Sequence, residues 1–207
     1  MGLQRGGQLP ESGGGMTSLK TEIVGVQQLR AVLNRVAEHA SNAAPAMAGV
    51  AAEMLRQTEE IFAKEGRNVG LDHDWADLSD VTKHRRALAQ SGGRQYGKNG
   101  RELKRYARAL AGPMKILQVS GRLAASIQPT SNSHEAGLTT NLAYAATMFY
   151  GAKKGQFGTD RRNHPVPWGD IPGRPFFPVR AAGSGFRLTN QAERSVIEIL
   201  EHYLDPL

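Results

Sequence analysis

Residues 115–127, KILQVSGRLAASI, set a Ser-Gly pair and an arginine among apolar residues, the raw material of a phosphate-holding loop. Such a loop needs G-x-x-x-x-G-K-[ST] between a strand and a helix, so that backbone N–H groups cradle the phosphates and the lysine reaches them. Here Gly121 stands without a second glycine and without a lysine in the required place, so the segment reads as a structural corner. The histidines His39, His73, His84, His134, His164 and His202 are scattered, none at the i, i+4 spacing of a helical metal pair. Asp72-His73-Asp74 is the one local cluster of metal-ligand types, and on that spacing alone it reads as an exposed acidic loop. There is no cysteine, which removes disulfides, thiolate zinc sites and cysteine nucleophiles, and no G-x-S-x-G elbow. The expectation is a chain that is not an enzyme and has no catalytic residue, cofactor or metal.

The charge is more informative. Lys83, Arg85, Arg86, Arg94, Lys98, Arg101, Lys104, Arg105 and Arg108 face a single acid, Glu102, between positions 83 and 108; nine less one leaves +8, against +7 for all 207 residues. Two readings stay open. The segment touches nucleic-acid phosphates, each cation releasing a counterion and Tyr96 or Tyr106 stacking on bases, or it is a solvated arm that meets acidic protein surface. No helix-turn-helix or finger spacing accompanies it.

Positions 1–15 are Gly-, Ser- and Gln-rich with hardly any apolar content, which predicts a flexible lead; Met16 is a second possible start. The remainder, 16–207, reads as a single domain with a basic insertion at 83–108. Val26, Leu29, Leu33, Val36 and Ala40 recur at three and four, a helical stripe over 22–40. After Pro45 a second stripe, Met47 through Phe62, runs to Gly66 and predicts a second helix. Positions 67–82 read as a polar loop that Trp75 pins to the core. QSGGRQYGKNG reads as a mobile loop and RELKRYARAL as a short helix.

Beyond the corner, Leu123 and Ile127 share a face with Ser120 as a possible cap, and SIQPTSNSHEAGLTTN alternates like a hairpin. LAYAATMFYG is helical up to Gly151, and the Pro- and Gly-rich stretch after it is unfit for a central strand. A final helix starts near Asn190, with Glu193 completing a capping box. The fold class is α+β: N-terminal helices, one small antiparallel sheet built around 126–140 and the segment near 171–180, a C-terminal amphipathic helix, and long basic and Pro/Gly-rich loops. No apolar run approaches the roughly 18 to 20 residues that span a bilayer, so a soluble protein without membrane contact is expected.

Taken in order, IFAKEG (61–66), WADLSDVT (75–82), ILQVSGRLAASI (116–127), YAATMFYG (144–151) and IPGRPFFPV (171–179) resemble the virion morphogenesis proteins of Mu-like tailed phages, related to phage tail completion and neck proteins. The likeness covers about Leu29 to Leu204. It departs at Phe149-Tyr150, where the family carries His-Gln or similar, and in a longer, more basic spacer between Thr82 and Ile116.

The resemblance implies a structural protein at the neck or tail end that joins head to tail, as a tail completion protein or tail terminator. It implies a homo-oligomeric ring, a hexamer favoured, assembled in the host cytoplasm and located in the virion among other neck and tail proteins. The basic segment would then face packaged DNA or an acidic neighbour. Within that picture the loop 151–178 is the expected subunit contact, through Phe157, Trp168, Phe176 and Phe177, while Arg122 and Arg174 organise loops. The alternative is a non-enzymatic nucleic-acid-binding protein that uses 83–108.

Overall fold

The computed structural model describes residues 42–204. The lead at 1–15, the second start at Met16 and the first helical stripe at 22–40 lie outside them.

The second stripe forms α1, Ala44–Ala63, with Pro45 in the first turn where no intrahelical donor is lost. Its apolar face buries Ala46, Val50, Ala51, Ile61 and Phe62; the buried Thr58 satisfies its hydroxyl by donating to Met54 O at 2.9 Å. The helix ends at Ala63, and the glycine in the turn after it, Gly66, has a steric cause. Gly66 has φ +70°, and a Cβ there would lie 2.3 Å from the Trp75 ring. Only glycine lets the chain turn this tightly while the indole packs on it.

Helix α2, Asp80–Gln90, starts at Ser79, whose hydroxyl accepts from Thr82 N at 3.3 Å. Positions 80–82 are therefore the first turn of a helix and not the end of a polar loop, and a Ser cap followed by helix formers and by Gly92-Gly93 is its signature. Helix α3, Lys104–Ala111, is the expected short helix. At the corner, Gly121 takes φ +68° and opens the four-residue α4, Arg122–Ala125. Ser120 makes no cap there, because the left-handed glycine itself sets the chain direction.

The expected single sheet is three separate two-stranded antiparallel ladders. β1, Ile127–Ser131, pairs with β2, Ala136–Thr140, around a turn in which Asn132 Oδ1 accepts from His134 N and Glu135 N. After α5, Ala145–Tyr150, strand β3, Gly151–Ala152, pairs with β4, Ile171–Pro172, and β5, Val179–Ala182, with β6, Gly185–Leu188. The segment at 171–180 never joins the 126–140 hairpin. Pro172, Pro175 and Pro178 lack the N–H that a continuous strand would have to offer.

The C-terminal helix α6, Asn190–Leu204, is capped one residue earlier than expected: Thr189 Oγ1 accepts from Ala192 N at 3.2 Å. Asn190 Oδ1 is taken instead by Arg180 Nη2 at 2.7 Å. α1 lies between α6 and the β1–β2 hairpin. Beneath its C-terminal end Ile61, Phe62, Val69, Trp75, Ile116, Leu123, Ile127, Ala145, Phe149 and Phe176 form one core. Its rings meet edge to face, Phe62 with Trp75 at 5.6 Å and Phe149 with Phe176 at 5.3 Å, an arrangement their quadrupoles favour.

Candidate functional site

The basic segment is a helical hairpin. α2 and α3 pack on one another, and the linker between them is tied: Leu103 N donates to Gln95 O at 2.8 Å and Gly97 N to Arg101 O at 2.9 Å, flanking a Tyr96–Glu102 bridge. The loop read as mobile therefore has an internal backbone ladder. Tyr106 seals the two helices; it is 1% exposed and its hydroxyl meets His84 Nδ1. Burial pushes its phenol up, and the charge of Glu102 adds to that. A stacking role for Tyr106 is thereby overturned, since its ring is spent on the helix pair; Tyr96 remains exposed.

Two of the nine cations are engaged locally. Arg86 donates to Lys115 O at 2.7 Å, and burial lowers its pKa; Lys83 lies 3.9 Å from Asp80. Arg85, Arg94, Lys98, Arg101, Lys104, Arg105 and Arg108 are exposed and make no ion pair or side-chain hydrogen bond with any described residue. Lys104, Arg105 and Arg108 share one face of α3, and Arg101 precedes Lys104 by three. Like charges at these spacings cost a few tenths of a kcal/mol each on an isolated helix. An anionic surface removes that cost.

Arg174 is a loop organiser, as expected. It is 7% exposed, and its Nε and Nη2 reach Ala76 O at 3.1 and 2.8 Å while Nη2 also reaches Asp77 O at 3.2 Å. Burial lowers its pKa, the nearby Arg86 charge lowers it further, and Asp77 opposes both. Arg122 organises nothing of the kind. It is exposed, and its guanidinium makes no hydrogen bond with a described residue. The Asp72-His73-Asp74 cluster is also structural: Asp72 Oδ2 accepts from Ala181 N at 2.6 Å, fastening β5. Among the described residues no group of three His, Asp or Glu side chains converges.

The expected contact loop divides. Phe176 is 1% exposed and belongs to the core, so it cannot meet a neighbour; Phe177 is half-buried against Phe149 and Phe176. Residues 153–170 instead form an arm beyond the β3–β4 pair, laddered by Gly155 N to Pro167 O, Phe157 N to Val166 O and Val166 N to Gly158 O at 2.8–3.0 Å. Its turn is held by Asp160, whose carboxylate accepts from His164 N and Arg162 N; those bonds keep it ionised to lower pH than usual, the His164 bond most. Its base is held by Asp170, similarly depressed by the N–H of Lys154. No residue of the arm is buried, and Phe157 and Trp168 stand on it exposed, the Trp168 ring lying 5.2 Å from that of His164.

Sequence reasoning missed a second feature. Ala145, Ala146, Phe149, Tyr150, Phe176, Phe177, Val179 and Phe186 line an open groove of about 340 Å³ that is almost wholly apolar. Tyr150 and Phe186 meet Phe149 edge to face at its rim, at 4.9 and 5.6 Å. Comparison with protein-family models, curated proteins and solved structures gives no match. Among the described residues, no helix is long and apolar enough to cross a membrane.

Proposed function

We propose that this chain is a structural virion protein of a tailed phage, acting at the neck or tail end to join head and tail, as a tail completion or tail terminator component. One observation carries the reading. The spaced segments on which the resemblance rests converge in three dimensions into a single framework: Trp75 Nε1 donates to Pro175 O at 2.7 Å, Arg174 to Ala76 O, and Gln118 Nε2 to Phe62 O at 2.7 Å, while Phe149 packs on Phe176. Segments that hold one another in place are what a scaffold requires, and no reacting group is needed among them. The working form is a closed homo-oligomeric ring, a hexamer favoured, located in the virion with other neck and tail proteins as partners.

The seven unpartnered cations favour a second role for α2 and α3, contact with nucleic-acid phosphates. In a ring this hairpin faces packaged DNA, and its charge is concentrated by subunit repetition. As a freestanding activity it makes the alternative, a non-enzymatic nucleic-acid-binding protein.

Deletion of the gene in a phage that encodes this chain, followed by negative-stain electron microscopy of lysates, tests the reading. Filled heads and unjoined or irregular tails are expected. Normal infectious particles overturn the assembly role and leave the nucleic-acid reading.

A further inference from the structure

The chain carries an apolar groove and, on a separate projection, an apolar knob. We propose that they fit each other between copies: the arm at 153–170 of one subunit seats Phe157 and Trp168 in the groove lined by Ala146, Phe149, Tyr150, Phe177 and Phe186 of the next. This deepens the ring reading and rests on it, since it names the two surfaces that a ring would join.

The arm is built to leave its own body. A segment with no buried residue has no core to order it, yet this one is held by a backbone ladder and by two aspartates that accept main-chain N–H groups at its base and turn. Its two large rings touch none of the groove rings of the same chain. Folding back would break the ladder that roots the arm at β3–β4, directly after Tyr150. A second copy meets the groove without that loss.

The surface areas make a lone contact weak. Phe157, Trp168, Tyr150 and Phe186 are 55%, 62%, 67% and 49% exposed. At roughly 150–250 Å² per aromatic side chain, the four offer about 350–580 Å². That is short of the ~1,000 Å² expected of an interface that stands alone. A ring gives every subunit two such contacts, one as donor and one as acceptor, and knob and groove being different surfaces makes the contact heterologous. Open dimers should therefore be weak and closed rings stable.

The absence of native cysteine makes the pairing directly readable. Gly169→Cys places a thiol beside Trp168, where an added Cβ meets nothing within 4 Å, and Ala146→Cys places one in the groove on an exposed residue. The two full-length single variants, mixed under mild oxidation, are expected to give a disulfide-linked dimer well above either variant alone. A Trp168→Ala change in the Gly169→Cys chain is expected to cut the yield at least tenfold, and the double-cysteine chain to give a ladder that stops at the ring size.

A mixture that does not cross-link, or a double variant that links within one chain, overturns the arm contact. Sedimentation of the unmodified chain separates this from the ring itself. An oligomer without the cross-link removes the arm contact and keeps the ring; a monomer without it removes both. Linked species that grow without limit keep the arm contact and remove closure.

Discussion

Trp75 and Pro175, one hundred positions apart, are joined by a 2.7 Å hydrogen bond from the indole Nε1 to the proline carbonyl, and Arg174 beside that proline returns bonds to Ala76 and Asp77. The clasp works in both directions: each segment donates to the other's backbone. Proline leaves the 171–178 segment poor in N–H donors, so its order comes from carbonyls and side chains instead. Trp75→Phe keeps most of the buried apolar surface and removes the donor. The expected cost is about 1–2 kcal/mol, read as a lowered denaturant midpoint with an unchanged slope.

Gly66→Ala tests the steric half of the same corner. The added methyl meets the Trp75 ring and a left-handed backbone at once. A loss of at least about 2 kcal/mol is expected, beyond the ~1 kcal/mol ascribed to an αL position alone, and Trp75 fluorescence should shift as the indole is displaced. Gly121→Ala, also at positive φ but with open space around its Cβ, provides the contrast and should cost only the backbone share.

What was legible in the sequence was local. α1 announced itself through apolar spacing and Pro45, and the burial of Trp75 and the anchoring use of Arg174 followed from ring size and from the Gly and Pro on either side of the arginine. What was lost is pairwise. Phe176 and Phe177 are adjacent and chemically alike, yet one is core and the other rims a groove, because Phe149 meets both rings while Phe62, from a distant segment, packs on the first. Tyr106 sits in a run of charges that looks solvated, and the packing of α3 on α2, where His84 twenty-two positions away meets its hydroxyl, buries it. Strand pairing failed for the same reason: the ladders follow their nearest turns, and no periodicity says which of two short strands a third will choose.

The cap of α6 separates two neighbouring residues that sequence patterns confuse. Thr189→Ala should destabilise the protein by about 1 kcal/mol, because Ala192 N loses its acceptor at a buried site. Asn190→Ala should cost less, since only an exposed bond from Arg180 is lost. Thermal melts of both variants check the order, and the reverse order would restore Asn190 as the cap.

Acid should weaken α1. The Arg56 fork at 2.7 Å, aided by Gln57, holds Glu53 down to about 2, below its usual carboxylate value, against the opposing effect of burial. A depressed folded-state value means stability present above the unfolded value near 4.5 and lost as pH falls from there towards 2. With Arg56 more than half exposed, solvent screening keeps the contribution to no more than about 1 kcal/mol. Glu53→Gln should lose that stability at pH 7 and flatten the pH profile of unfolding between 5 and 2; an unchanged profile would place the acid sensitivity elsewhere.

The basic hairpin gives a prediction about ions rather than about folding. If the seven free cations of α2, α3 and their linker each neutralise a phosphate, duplex DNA affinity should fall with log salt at a slope of about −6, taking roughly −0.9 per contact. Lys104, Arg105 and Arg108 share one helical face and project away from Tyr106, so replacing all three with Gln leaves the α2–α3 packing intact. The slope should then drop by about 3 with little change in melting temperature, whatever the duplex sequence, because phosphates and not base edges are being met. Titrations of the full-length chain at several salt concentrations read both numbers. A slope that does not change in the triple variant would move the anion contact off this hairpin, and a variant that no longer assembles would give the same cations an acidic protein neighbour instead.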